Sequence, residues 1–207
     1  MLKEYNRKNY CFPKLLKGQL AQLLSYPLTL VEAPSGFGKT TAVKDYLSTA
    51  VSIASTVYWY TCLGEPSYKA WDNICHILGP VDERTVLKIK SLGVPSKNNL
   101  YDLIELIRNF SCHEETVLVI DNYQLIRNDY FDALSNAFFN GFNQHFHIVV
   151  ITQPPKKKSA ATTLHHSQRL LIDRSSLFFS KDDTNLFFRQ SGIRLSDAEL
   201  DNIWQHT

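Results

Sequence analysis

The chain has 207 residues, enough for one sizeable domain or for one domain and part of a second. Hydrophobic residues make up 44% of it and charged residues 20%, a balance that supports a well-packed soluble core. The formal net charge is only +2, which excludes the strong basic field by which a whole domain attracts nucleic acid.

The four cysteines, at positions 11, 62, 75 and 112, have neither the C-x-x-C spacing of a zinc ribbon nor the pattern of a disulfide framework. Two of them precede a histidine, but adjacent side chains diverge on a helix or strand, so no metal site is predicted there. The N-terminus lacks the apolar core of a signal peptide, and no apolar run approaches transmembrane length. We therefore expect a reduced, cytoplasmic protein with no membrane partner.

The first predicted elements are a short helix over residues 15–24, an apolar strand at Leu28–Glu32 and a helix over residues 38–49. A Gly-rich turn joins this strand to the second helix. Strand, loop and helix in this order are what a phosphate-binding P-loop requires. We assign the nucleotide contacts to Pro34, Ser35, Gly36, Phe37, Gly38, Lys39, Thr40 and Thr41.

Each part of this motif has a physical role in binding a polyphosphate. Gly36 and Gly38 let backbone N–H groups turn inward toward phosphate oxygens, and the helix N-terminus adds positive dipole. Lys39 reaches the β- and γ-phosphates, and the Thr40 hydroxyl is a Mg²⁺ ligand. The motif departs from G-x-x-x-x-G-K-[ST] at its first position, where Ala33 replaces glycine; alanine fits if its φ is negative. The sequence therefore predicts a nucleoside-triphosphate site.

The rest of the chain alternates apolar strands with helices. Strands are predicted at residues 57–60, Thr116–Asp121 and Phe146–Thr152, with 168–173 the candidate for a fifth; helices are predicted at 66–78, 81–92, 98–110 and 129–139. Continuous apolar strands that alternate with helices predict an α/β fold, in which helices cover both faces of a parallel sheet.

The predicted carboxylate ligand of Mg²⁺ is Asp121, which ends an apolar strand and so lies at the carboxyl edge of the sheet, where open α/β sheets bind ligands. Asn122 follows, where many P-loop ATPases of this layout have a second acid; an amide holds water but cannot accept its proton. Gln153 offers the γ-phosphate a hydrogen bond but no charge. Asn122 and Gln153 are thus the candidate catalytic contacts, and we expect strong binding with slow or absent hydrolysis.

Two short helices are predicted after the sheet. Ser180 with Asp183, and Ser196 with Glu199, have the spacing of capping boxes. We therefore interpret residues 1–179 as a P-loop nucleotide-binding domain, and the family resemblance given next implies the STAND or AAA-like kind. Residues 180–207 are interpreted as the first helices of a C-terminal helical module, truncated where the sequence stops.

These motifs resemble the N-terminal ATPase domain of the LuxR-type transcriptional regulators of the MalT-like class, within the STAND signal-transduction ATPases. The matching segments occur in the family's order and together span roughly residues 12–207. They are residues 33–41, 59–60, 119–126, 147–152, 170–180, 185–188 and 195–196.

The resemblance implies a P-loop NTPase whose five-stranded parallel sheet has the order 5-1-4-3-2. It implies ATP or ADP as the cofactor, with Mg²⁺ held by Thr40 and Asp121, and self-association that depends on the nucleotide. Inducer and DNA would bind through other domains of the full-length protein. The resemblance thus implies a regulatory switch domain.

The sequence leaves two other functions open. One is a P-loop enzyme, an ATPase or a small-molecule kinase, with Glu65 or Asp72 as its acid; turnover near about 10 s⁻¹ would favour it. The other is a nucleotide-independent interaction scaffold that uses the aromatic-rich tail, and a thermal stability insensitive to Mg-ATP would favour that reading.

Overall fold

The computed structural model of the chain describes residues 10–50, 55–126, 128–137, 144–154 and 169–205. Five strands within these residues form one parallel sheet: β1 (Leu28–Glu32), β2 (Thr56–Thr61), β3 (Thr116–Asp121), β4 (Phe146–Thr152) and β5 (Arg169–Ile172). The helices are α1 (Lys14–Leu20), α2 (Lys39–Ala50), α3 (Ser67–Leu78), α4 (Glu83–Leu92), α5 (Leu100–Arg108), α6 (Asp129–Ala137), α7 (Lys181–Gln190) and α8 (Asp197–Gln205). The predicted helix end at residue 139 and strand start at residue 168 lie outside the described residues.

The sheet has the strand order β2-β3-β4-β1-β5, which is the predicted order read from the opposite edge. β4 lies between β1, which leads into the Gly-rich loop, and β3, which ends in Asp121. The register pairs Glu32 with Thr152 and Ile120 with Val150, so the carboxyl ends of the three strands are level. The residues that follow these strands therefore meet at one edge of the sheet.

Strands β3 and β4 are buried along their whole length. Because side chains alternate between the two faces of a strand, each strand contributes to two hydrophobic clusters. Val117 and Val119 pack with residues of α1 and α2, whereas Leu118 and Ile120 pack with residues of α3 to α6. Apolar residues on both faces explain why these strands are parallel and covered on both sides.

The predicted ranges of β1, β3 and β4 agree with the structure, and most other ends differ by one or two residues. The exception is the first helix, predicted over residues 15–24. α1 ends at Leu20, and a separate 3₁₀ turn covers Leu23–Ser25. The leucines continue the helical pattern, but the chain has to turn here to enter β1, and the Ser25 N–H donates to the Gln22 carbonyl within that turn (2.9 Å).

The C-terminal helices are fastened to α1 by a carboxylate. Ser180 and Asp183 form the predicted capping box at the start of α7. Asp183 also accepts a hydrogen bond from the Lys14 N–H at the start of α1 (3.0 Å). The Trp204 indole of α8 donates to the Phe179 carbonyl (3.2 Å). This hydrogen bond connects α8 to the segment before α7.

We expect Asp183→Ala to lower the free energy of unfolding by about 1–2 kcal/mol at pH 7, because the helix cap and the link to α1 are both lost. Burial raises the pKa of the Asp183 carboxyl, but the Ser180 hydroxyl and the N–H groups of Lys14 and Ser180 outweigh it, so the pKa is lowered. The contribution is therefore full above about pH 4, the pKa of an unfolded aspartate, and is lost as the pH falls through the lower folded pKa.

Urea unfolding of wild type and variant between pH 7 and pH 3 measures this difference. Asp182→Ala is the matched control, since Asp182 is exposed in the same first turn of α7. A difference between wild type and Asp183→Ala that stayed constant over the whole pH range would contradict the assigned role of the carboxylate.

Candidate functional site

A polar crevice of about 320 Å³ opens at the carboxyl edge of the sheet. Its volume is within the range of ligand pockets. The crevice collects predicted residues from the Gly-rich loop, α2 and the ends of β3 and β4, whereas Pro34 and Phe37 do not line it. The lining residues are Ser35, Gly36, Gly38, Lys39, Thr40, Thr41, Asp121, Asn122, Gln124, Ile151, Thr152 and Gln153.

The loop after β1 depends on two glycines in the left-handed region, Gly36 with φ 87° and Gly38 with φ 74°. A Cβ added at either position would meet no heavy atom within 4 Å, so the backbone conformation and not the space requires glycine. Ala33 is buried. In the described ranges, Asn122 is the one non-glycine residue with positive φ, so the φ of Ala33 is negative. The expectation that alanine fits at position 33 is therefore confirmed.

The N-terminus of α2 faces this crevice. The helix begins at Lys39, and its first backbone bond back into the loop runs from the Ala42 N–H to the Gly38 carbonyl (2.9 Å). The N–H groups before Ala42 have no intrahelical acceptor. Thr40 and Thr41 line the crevice, so these donors and the positive end of the helix dipole lie at its wall.

The Lys39 ammonium is held at the base of the loop. Its side chain is buried, and Nζ donates to the carbonyls of Ala33 (2.7 Å) and Pro34 (2.8 Å). Burial lowers the pKa of Lys39, and the Asp121 carboxylate opposes part of that shift. Two of the three ammonium hydrogens are thus engaged by the loop itself.

Thr40 and Asp121 meet across the crevice. The Thr40 Oγ1 lies 3.1 Å from each of the two Asp121 carboxylate oxygens, and the Asn122 N–H donates to Oδ1 (2.9 Å). Neighbouring oxygen ligands of an octahedral Mg²⁺, each about 2.0–2.1 Å from the metal, are about 3 Å apart. The donor set and its spacing therefore fit a Mg²⁺ ion.

Asn122 has φ 57° and ψ 38°, in the left-handed region that asparagine adopts more readily than most residues. A 3₁₀ turn over Tyr123–Leu125 follows, closed by the Leu125 N–H on the Asn122 carbonyl (2.9 Å). Tyr123 packs against the core, and Gln124 lines the crevice. Sequence reasoning missed Gln124: a glutamine among apolar residues was visible, but its direction is set by the backbone turn at Asn122.

Gln153, the second predicted catalytic contact, directly follows the end of β4. Gln153 lines the crevice but is exposed.

The four cysteines form no disulfide, and burial raises the pKa of the Cys62 and Cys75 thiols to about 12. In the part of the chain that the structure describes, no helix has the length and apolar character to cross a membrane.

The parallel sheet, the Gly-rich loop between β1 and α2 and the carboxylate that ends β3 define a P-loop NTPase fold. A family model described as an AAA domain matches residues 25–158, more than half of the chain, and the chain belongs to this family. It is therefore a nucleotide-binding domain of the P-loop ATPase class. No curated protein matches the chain by sequence.

Solved structures share this fold, and two of them are described here. The first is a signal transduction ATPase with numerous domains (STAND) protein with a tetratricopeptide repeat sensor, from Pyrococcus horikoshii, at a TM-score of 0.58 and 14% identity. The second is the Aeropyrum pernix ORC1 protein in complex with DNA, at a TM-score of 0.50 and 12% identity. The matches cover 91% and 92% of this chain, but only 27% and 52% of the respective proteins, so the chain spans about a quarter and about half of their lengths.

We expect Gly38→Ala to lower the free energy of unfolding by about 1–2 kcal/mol, because alanine is strained at positive φ although nothing obstructs its Cβ. Gly38→Asn should cost less, since asparagine tolerates this region. Urea unfolding without nucleotide measures both.

The matched control is Gly18→Ala in α1, where a Cβ also meets nothing within 4 Å and φ is not positive. This change should raise the free energy of unfolding by about 0.5–1 kcal/mol, through helix propensity. Equal effects of alanine and asparagine at position 38 would argue against conformational strain.

Proposed function

We propose that the chain is the ATP/ADP-binding regulatory switch domain of a LuxR-family transcriptional regulator, with slow or absent hydrolysis. Membership of the AAA domain family supports the nucleotide site. The ordered resemblance to regulators of the MalT-like class supports the regulatory role. A similar fold in a STAND protein with a tetratricopeptide repeat sensor agrees with this role.

The observation that carries the nucleotide assignment is the juxtaposition of Lys39, Thr40 and Asp121 beneath a glycine loop. The loop N–H groups and the first turn of α2 bind phosphate oxygens, and Lys39 neutralises their charge. Thr40 and Asp121 hold Mg²⁺, which neutralises further phosphate charge when bound. These residues bind and orient a nucleotide without any carboxylate in the position of a second acid, where Asn122 stands.

The switch is supported by a contact between the phosphate-binding loop and the segment that leads into the C-terminal helices. The ring of Phe37, within the loop, meets Phe178 edge-on with ring centroids 5.6 Å apart. The Arg174 guanidinium lies 4.9 Å from the Phe178 ring centroid and 5.6 Å from that of Phe37. A change in the loop on binding ATP or ADP therefore moves Phe37 against Phe178, which precedes α7, and thereby shifts the placement of α7 and α8.

Lys39→Ala is expected to weaken Mg-ATP binding by roughly 10- to 150-fold, the range of one charge-assisted contact. Isothermal titration calorimetry of the two proteins measures it. Lys44→Ala is the matched control on the same helix, because the Lys44 ammonium lies over the Trp59 ring, 4.7 Å from its centroid.

Equal Mg-ATP affinities of wild type and Lys39→Ala would contradict the assignment of the nucleotide site. A wild-type melting temperature that Mg-ATP leaves unchanged would support the nucleotide-independent scaffold instead, because a ligand that binds only the folded state must stabilise it.

We expect steady-state ATP hydrolysis by the wild-type domain to be far below about 10 s⁻¹, the rate of an ordinary enzyme. Asn122→Asp should raise the rate by up to about 100-fold, because a carboxylate accepts the proton of an attacking water. Aspartate also tolerates the left-handed backbone at this position. Phosphate release under saturating Mg-ATP measures both proteins, and wild-type turnover near the ordinary rate would favour the enzyme.

A further inference from the structure

Gln124 is the crevice residue that nucleotide binding by the loop leaves unexplained. Its side chain lines the crevice together with Lys39, Thr40 and Asp121. Its Oε1 is buried and has no hydrogen-bond partner in the structure. An unpaired buried acceptor destabilises the folded protein, so its retention in a polar crevice indicates that a donor reaches it in some functional state.

The backbone holds Gln124 in this position at a further cost. Asn122 is in the left-handed region, and such residues cluster at functional sites. The 3₁₀ turn that follows is fixed by the Leu125 N–H on the Asn122 carbonyl and by Tyr123 packed against the core. The turn therefore fixes the backbone on both sides of Gln124, which lines the crevice.

The chemistry of the unpaired atom limits what it binds. Oε1 only accepts hydrogen bonds, and phosphate oxygens are also acceptors, so the two cannot bond directly. A water molecule has two hydrogens and can donate to both. The Lys39 ammonium is a poorer candidate, since the carbonyls of Ala33 and Pro34 already engage two of its three hydrogens.

We propose that Gln124 senses the terminal phosphate of a nucleoside triphosphate, through a water that donates one hydrogen bond to Oε1 and one to a phosphate oxygen. This inference rests on the proposed nucleotide site. A diphosphate lacks that last phosphate and does not hold the water against Oε1. Gln124 is therefore a specificity-determining residue that favours ATP over ADP, and its backbone turn directly follows Asp121.

The test is Gln124→Met, which keeps the length of the side chain and removes its acceptor. Calorimetry with Mg²⁺ gives the dissociation constants of a non-hydrolysable ATP analogue and of ADP. We expect the preference for the analogue over ADP to fall by roughly two- to tenfold, the value of one hydrogen bond between neutral groups, while ADP affinity stays at the wild-type value. Without nucleotide, the melting temperature should rise by about 2–4 °C, because the unpaired acceptor is gone.

Gln19→Met is the matched control. The Gln19 Oε1 of α1 is also buried without a partner, but Gln19 does not line the crevice. The control should raise the melting temperature in the same way and leave the ratio of the two dissociation constants unchanged. If the methionine variant at position 124 does not fold, Gln124→Glu replaces it, because the added charge repels the extra phosphate and weakens the analogue more than ADP.

The outcomes separate this inference from the function on which it rests. If the wild type binds both nucleotides and Gln124→Met keeps the wild-type ratio, the inference is overturned and the nucleotide site stands. If the wild type binds neither nucleotide, both are overturned. A ratio that falls in Gln124→Met and stays constant in Gln19→Met supports the sensor role.

Discussion

Burial of β3 and β4 on both faces is the constraint on which the rest of the structure depends. Helices cover both sides of these strands, so polar groups can serve a ligand only where the strands end. β4 pairs with both β1 and β3, and its register makes their carboxyl ends level. Thr40 and Asp121, 81 residues apart in the sequence, therefore meet at 3.1 Å. Strand pairing, more than the conformation of any one loop, therefore determines where the site lies.

The same burial decides the electrostatics of the loop. Desolvation outweighs the attraction of Asp121 in setting the pKa of Lys39, so the ammonium depends on the carbonyls of Ala33 and Pro34 for its hydrogen bonds. Those carbonyls belong to the phosphate-binding loop, so the ammonium and the loop are held together by these hydrogen bonds. In the proposed switch, a phosphate that draws Lys39 toward itself competes with these bonds and so loosens the loop. Phe37 lies in that loop, which gives the nucleotide a physical route to Phe178 and the helices beyond it.

Sequence reasoning predicted the elements whose signal is local. Continuous apolar runs that end in a polar residue marked β1, β3 and β4 with their correct ends. The same reasoning extended the first helix through Leu24, because leucine periodicity carries no information about the turn into β1. The order of the strands came from the family resemblance, because the sequence of a strand does not specify which strand pairs with it. The direction of Gln124 was beyond a sequence pattern, because it follows from the φ of Asn122.

Lack of a hydrogen-bond partner does not by itself identify a functional group. The surroundings of the unpaired atom determine whether a ligand can bind there. In the described ranges, the Trp71 indole nitrogen is also buried and unpaired, but the cavity beside it is lined almost entirely by apolar side chains. The Thr29 hydroxyl is unpaired within β1, where strands pack on both sides. Neither residue lines the polar crevice at the carboxyl edge of the sheet. Gln124 differs because it lines the same polar crevice as Lys39, Asp121 and the first residues of α2. In the proposed sensor role, an ordered water that donates to its oxygen restores the hydrogen bond that is missing without nucleotide.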